Sequence, residues 1–442
     1  MTKLQKKVAT AIATGALLFN TALPAFADVT LEISGNGADT YNKAEVDVNQ
    51  NRTVVQSNEA NISNNVTATA DTGDNDANRN TGGSVSVDTG NATTKVDVSN
   101  AANSNEAELE CCEADVDVLI SGNGDNSTNK VELDINDPRH HRGHDDEFLG
   151  TGIFQENEAK IDNDVTAKAD TGDNDANRNT GGDVSVTTGD AKTTVDILNQ
   201  ANANSAKISG DGEGGSLSAR ILGNGADSYN KIELDYNKSV VVDQSNSARV
   251  ENDVYAKADT GDNDANRNTG GTVSIDTGDA ETKVGVDNMI NFNWADVDCG
   301  CVLDVLAKIA GNGDDSTSKI EADLKDELGV FQENSCGEEH RGGFDSFFRR
   351  FPWHREKPCL ENDLTAKADS GDNDAERNTG DPGVDPSVET GNAYTEVLLD
   401  NSGNSNVYGN MPDLELPEWL GGGFSVNISL DLSALLALLG LA

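Results

Sequence analysis

The chain carries four copies of one stretch, the first of which is Ala70-Asp-Thr-Gly-Asp-Asn-Asp-Ala-Asn-Arg-Asn-Thr-Gly-Gly83. The same residues start again at Ala169 and at Ala258, and a variant starts at Ala368. A Gly-Asn-Gly triplet precedes each copy, at spacings of 87, 101 and 88 residues. Self-similarity at such a period is typical of repeat architectures, and we therefore interpret the chain as four repeats of about 88 residues.

Two of the repeats are longer than the others. The aligned Gln56, Gln155, Gln244 and Gln332 place one insert before Gln155 and a second after Gln332. The predicted division is a signal peptide (1–27), repeat 1 (28–121), repeat 2 (122–222, with an insert near 136–152), repeat 3 (223–310), repeat 4 (311–410, with a cysteine-bracketed insert at 336–359) and a hydrophobic C-terminal strand or tail (411–442).

The segments between the turns alternate with a period of two, which predicts β-strands. Ile62, Asn64, Val66, Ala68 and Ala70 fall on one face, and the next two repeats have the same face. Such small side chains favour stacked rungs over a sandwich, whose two sheets need large residues between them. An Asn-x-Ala motif recurs about every 17 residues, which predicts short rungs stacked within each repeat.

The predicted fold class is all-β, a β-solenoid or curled β-array of four repeats of about 88 residues. Tandem β-sandwich-like modules are the alternative. Disorder is a further possibility because of the high charge and low hydrophobicity, although the strict alternation argues against it.

The charge balance excludes some classes of function. There are 32 Lys+Arg against 78 Asp+Glu, which gives a net charge of −46. Binding of nucleic acid needs clustered cations, so we expect no nucleic-acid partner. The repeats contain no nucleophile elbow, no histidine-centred triad and no phosphate-binding loop, and we predict no enzymatic activity.

The N-terminal residues 1–27 have the features of a secretory signal. Lys3, Lys6 and Lys7 precede an apolar stretch that ends in the small-x-small sequence 25–27. A secreted, extracellular protein of the cell surface is therefore expected, with an uncleaved membrane anchor as the alternative.

The run Gly35-Asn-Gly-Ala-Asp39, the later Gln56 and the Asn-x-Ala phrasing resemble curlin, the secreted bacterial amyloid subunit. The resemblance implies short rungs, ladders of Gln and Asn, and polymerisation outside the cell. It carries no catalytic residue. The chain departs from the curlin pattern in its Ser-to-Gln spacing, its acidity and its cysteines.

The repeated turn brings three carboxylates within six residues, which favours a hard cation such as Ca²⁺. The candidate calcium ligands are Asp71, Asp74, Asp76, Asp170, Asp173, Asp175, Asp259, Asp262, Asp264, Asp369, Asp372 and Asp374. The alternative is neutralisation by an arginine in the same turn. These arginines are Arg79, Arg178, Arg267 and Arg377.

The second insert combines aromatic and basic residues, the composition of binding hot spots. Its candidate partner-binding residues are Phe347, Phe348, Arg349, Arg350, Phe351 and Trp353. We expect a disulfide between Cys336 and Cys359 to close this loop. The alternative is a small satellite core. The first insert contains His140, His141 and His144, either a transition-metal site or a polar loop.

Four further cysteines occupy equivalent places, Cys111 and Cys112 in repeat 1 and Cys299 and Cys301 in repeat 3. Stacked short rungs would put the two pairs about ten rungs, roughly 50 Å, apart, too far for a disulfide between them. Each pair then closes locally, binds metal or links to another subunit. We expect some intersubunit bridges.

These features predict a secreted structural protein of the bacterial surface or matrix that assembles with itself into filaments. We expect head-to-tail addition of the strand at 28–33 onto the one at 424–432, with a hydrophobic cap or a membrane-surface contact as alternative roles for the tail. The alternative function is a monomeric adhesin that presents both inserts to a surface receptor or glycan. A polysaccharide-active enzyme would need a cleft with paired acids.

Overall fold

The computed structural model describes residues 29–48, 51–110, 115–135, 150–209, 216–298, 304–336, 359–380, 383, 385–409, 414–415 and 425–426. Every regular element among them is a β-strand, and none of these residues is helical. The predicted signal peptide and most of the C-terminal tail lie outside the described residues.

Four stretches of chain supply the strands, and we name them segments 1 to 4. They are residues 29–110, 115–209, 216–298 and 304–409. Four parallel sheets each take strands from all four segments, and the strands lie in the order of the segments. Segments 2 and 3 are therefore interior, and segments 1 and 4 form the two edges.

The first sheet contains β1 (Val29–Ser34), β6 (Val116–Ser121), β11 (Ser216–Leu222) and β15 (Asp304–Ala310). The second sheet contains β2 (Tyr41–Val48), β3 (Asn51–Asp71), β7 (Thr128–Ile135), β8 (Gly150–Asp170), β12 (Tyr229–Asp259), β16 (Thr317–Ser335) and β17 (Leu360–Asp369). The third contains β5 (Ala92–Glu110), β10 (Ala191–Ser209), β14 (Ala280–Asp298) and β19 (Ala393–Tyr408). The fourth contains β4 (Val85–Asp88), β9 (Val184–Thr187), β13 (Val273–Asp276) and β18 (Ser387–Glu389). A short antiparallel pair joins β20 (Leu414–Glu415) to β21 (Ser425–Val426).

The register pairs equivalent residues of successive segments. Gln56, Gln155, Gln244 and Gln332 are consecutive partners in the second sheet. Strand partners lie 87 residues apart in the first pair, Val29 with Val116. The expected stacking of 17-residue rungs within one repeat is therefore wrong. So is the alternative of four separate modules, because these strands pair with strands of other segments and not within their own.

The core is a narrow layer between facing sheets. Val165 of the second sheet and Val195 of the third belong to one buried cluster, and Ile120 of the first sheet packs with Leu133 of the second. The predicted inward face is confirmed in segment 2, where Ile161 and Asn163 have no exposed surface. Side chains of Val, Ala, Ile and Asn fill the space, as the alternation predicts.

Candidate functional site: the two open edges of the sheets

Segments 1 and 4 leave the sheets open at both ends. Strands β15, β16, β17 and β19 hydrogen-bond to strands of segment 3, and β1, β2, β3 and β5 to strands of segment 2. Among the described residues the outer side of each of these strands has no strand partner. An edge of this kind presents backbone N–H and C=O groups to which another strand can pair.

The two edges differ in how much apolar surface they expose. In one column of the third sheet, Val96 is 5 % exposed, Val195 0 % and Val284 1 %, but Val397 in segment 4 is 46 % exposed. In this column each inward side chain is thus covered by the following segment, whereas inward side chains of β3 such as Val66 stay partly exposed. Segment 4 has no following segment among the described residues. Apolar side chains such as Val397, whose equivalents in segments 2 and 3 are buried, are therefore exposed at this edge.

Buried asparagines form hydrogen-bonded columns through the core. Asn100, Asn199, Asn288 and Asn401 are partners in the third sheet. The Nδ2 of each donates to the Oδ1 of the next, at 2.7 Å in all three steps. Because Asn199 and Asn288 are fully buried, these bonds satisfy amide groups that would otherwise be costly to remove from water.

A second column in the facing sheet is bonded to the first. It contains Asn64, Asn163, Asn252 and Asn362. Asn163 Nδ2 donates to Asn252 Oδ1 at 2.7 Å and, across the core, to Asn199 Oδ1 at 3.1 Å. Both protons of this amide are therefore used, and the two sheets are held together by the same groups that hold the segments together.

The columns have a direction. In each, the nitrogen of the lower-numbered segment donates to the oxygen of the next. Columns with this direction also begin at Asn36, Asn42, Asn58, Asn75, Asn103 and Asn105. The glutamine column is opposite, since Gln155 Nε2 donates to Gln56 Oε1 at 2.8 Å.

The direction makes the two edges chemically complementary. In segment 4, Asn362 and Asn401 accept bonds from segment 3, and within the described part of the chain their Nδ2 groups have no acceptor. In segment 1, Asn64 donates both of its bonds, and its Oδ1 has no donor among the described residues. In these asparagine columns the segment 4 edge presents amide donors and the segment 1 edge presents amide acceptors, and the glutamine column presents the reverse.

A row of ion pairs on the outer surface follows the same direction. Its lysines are Lys43, Lys130, Lys231 and Lys319, and its glutamates are Glu45, Glu132, Glu233 and Glu321. Lys231 Nζ lies 2.8 Å from Glu233 of its own segment and 2.8 Å from Glu321 of the next. Lys319, in segment 4, pairs with Glu321 of its own segment. Lys231 and Lys319 together lower the pKa of Glu321 to about 2.

The repeated acidic turns also stack in register, so that equivalent carboxylates of all four segments lie side by side. The first Asp of each turn accepts a hydrogen bond from the Gly two residues later, at 2.9 Å for Asp170 and Gly172. Burial, with the nearby charges of Asp259, Asp173 and Asp71, raises the pKa of Asp170 to about 6.

Calcium binding by these turns stays a prediction. The described part of the chain contains no group of three or more His, Cys, Asp or Glu residues placed to hold a metal ion. The alternative of neutralisation by arginine is wrong for the described residues. The four arginines are exposed and have positive φ values of 57–63°, and no ion pair of the described residues includes them.

The predicted disulfide between Cys336 and Cys359 is present, with a Cα–Cα distance of 4.5 Å. Cys111, Cys112, Cys299 and Cys301 lie outside the described residues. The strands that precede them, β5 and β14, are separated in the third sheet by β10 alone. For these two strands the expected offset of about ten rungs is wrong, because each segment contributes one strand to this sheet. Two spacings amount to roughly 10 Å.

The predicted partner-binding residues 347–353 and the histidines at 140, 141 and 144 lie outside the described residues. Sequence reasoning missed the direction of the asparagine columns and the lysine–glutamate row. The lysine–glutamate row could have been predicted from the sequence, because Lys-x-Glu recurs at 43, 130, 231 and 319. In the described part of the chain no helix has the length and apolar character to cross a membrane. No family model, curated protein or solved structure matches the chain.

Proposed function

We propose that this chain is a secreted structural protein of the bacterial cell surface or extracellular matrix that assembles with itself into filaments. In this proposal the four repeats form one β-solenoid, in which each repeat is one turn of the stack. The chain acts as a building block and not as an enzyme.

One observation carries the proposal, the open edge of segment 4. Apolar side chains that are buried in segments 2 and 3 are exposed there, as Val397 and Leu399 illustrate at 46 % and 48 %. Isolated exposed apolar residues are common on protein surfaces, but a row along an unpaired strand edge favours association with another strand. A solenoid of this kind requires caps or neighbours to stay soluble.

The net charge of −46 opposes association of copies at long range. Within one chain, like charges already lie only one strand spacing apart, as the paired Asp170 and Asp259 of the acidic turns show. Salt screens such repulsion beyond about 10 Å at 0.1 M ionic strength, and we therefore expect assembly to be faster at moderate salt.

The test is electron microscopy of purified residues 28–442 at several protein concentrations, with and without EDTA. We expect unbranched filaments whose X-ray fibre pattern has a meridional spacing of about 4.8 Å. A solution that stays monodisperse at high concentration would refute self-assembly and favour the adhesin. Loss of filaments in EDTA would support the calcium sites. Electrophoresis without reductant would test intersubunit disulfides.

A further inference from the structure

We infer that the partner of the segment 4 edge is the segment 1 edge of a second copy, stacked in register, so that the filament continues the strand order 1-2-3-4 into the next chain. This inference rests on the proposed function and specifies its interface. It differs from the predicted contact between the strand at 28–33 and the tail at 424–432.

The asparagine columns support this pairing. Within the described residues the Nδ2 groups of Asn362 and Asn401 lack acceptors. At the other end of these columns Asn64 Oδ1 lacks a donor, and Asn100 Oδ1 accepts one bond, from Asn64, where the interior Asn199 Oδ1 accepts two. Stacking segment 1 of a second copy on segment 4 extends every column by one step with the same geometry. Two segment 4 edges placed together would instead oppose donor to donor.

The ion-pair row supports the same orientation. Inside the chain each lysine from segments 1 to 3 contacts a glutamate of the next segment. Lys319 is the last lysine, and in register it would meet Glu45 of a second copy. Glu132 already takes Lys43 and Lys130 together, so a glutamate of this row accommodates two lysines.

A glycine column gives an independent argument from shape. A Cβ built on Gly73, Gly172 or Gly261 would lie 1.9–2.0 Å from the carbonyl oxygen of the equivalent glycine in the next segment. Gly371 is the last member, and a Cβ there would meet only Asp369 Oδ1 at 3.5 Å. A separate chain can therefore accommodate Gly371→Ala. In a filament, the new Cβ would collide with the carbonyl oxygen of Gly73 of a second copy stacked on segment 4.

A second glycine column, which includes Gly37, Gly124 and Gly225, has the same close contacts in the opposite direction and leaves segment 1 as its free end. A Cβ on Gly124 would lie 2.4 Å from the backbone nitrogen of Ala38, toward the preceding segment, and a Cβ on Gly225 lies equally close to Asp125. At Gly37 nothing lies within 4 Å. Gly37→Ala thus blocks the segment 1 edge, as Gly371→Ala blocks the segment 4 edge, and neither disturbs the separate chain.

The experiment uses the full mature chain with Gly371→Ala, Gly37→Ala and, as control, Thr269→Ala at an exposed position of segment 3. Circular dichroism and urea midpoints should match the wild type in all three. We expect the critical concentration for filaments to rise about ten- to a hundredfold in each glycine variant and to stay unchanged in the control. A sub-stoichiometric amount of either variant should cap wild-type filaments.

Mixing the two glycine variants tests the orientation. Each has one intact edge, and only the segment 4 edge of Gly37→Ala fits the segment 1 edge of Gly371→Ala. An equimolar mixture should therefore stop at dimers in analytical ultracentrifugation. If both variants form filaments like the wild type, the inference is overturned while self-assembly stands. If the wild type itself forms no filaments, the proposed function fails with it.

Discussion

Replacing Asn199 by alanine should cost much of the stability of the core. Asn199 accepts from Asn100 at 2.7 Å and from Asn163 at 3.1 Å, and it donates to Asn252 at 3.1 Å and to Asn288 at 2.7 Å. A buried hydrogen bond contributes about 1 kcal/mol net, so losing four lowers the free energy of unfolding by about 4 kcal/mol. Urea denaturation followed by circular dichroism, on monomeric protein, measures this loss.

Asn401→Ala is the matched control in the same column. Asn401 is exposed, and its side chain accepts one bond, from Asn288 at 2.7 Å. We expect a loss of about 1 kcal/mol. Equal losses for Asn199→Ala and Asn401→Ala, at unchanged denaturant slope, would refute the reasoning, because the column bonds would then add nothing to stability.

Two further predictions concern packing and charge. Gly225→Ala should lower the urea midpoint strongly, because its Cβ would lie 2.4 Å from the backbone of Asp125, whereas Gly37→Ala should leave the midpoint unchanged; equal midpoints would contradict the close stacking. The pKa of Asp170 is about 6 in the folded chain against 3.8 ordinarily, so the folded state binds its proton more tightly and stability falls as pH rises between these values. Asp170→Asn keeps the acceptor for Gly172 and should raise the midpoint at pH 7 and change it little near pH 4; a lower midpoint at neutral pH would disprove this.

The sequence supports much of the fold but not the identity of each strand's neighbour. Alternation correctly predicts the inward face that includes Ile161 and Asn163. The pairing of Gln56 with Gln155 was not predicted, because stacked 17-residue rungs would have kept them apart. The Asn-x-Ala motif suggests pairing every 17 residues, yet whole repeats pair. Pairing between segments places every equivalent residue on its counterpart, glycines included, whereas short rungs would align only the Asn-x-Ala motif.

The candidate site was harder to predict. A sequence contains no side-chain torsions, so the direction in which Asn288 donates to Asn401 cannot be read from it. The exposure of Val397 depends on segment 4 being an edge, which follows only from the strand order. The disulfide between Cys336 and Cys359 was predictable because the two cysteines bracket an insert.

The long separation of strand partners has a consequence for how the chain folds. Val29 cannot form its first strand pair until Val116 has been made, and each later pairing spans a comparable length. Contact order is therefore very high, and the entropy of closing such loops must be lost before any pairing is gained. Folding should be slow to nucleate and should begin only once two segments are available, so that a chain with one segment forms none of these strand pairs.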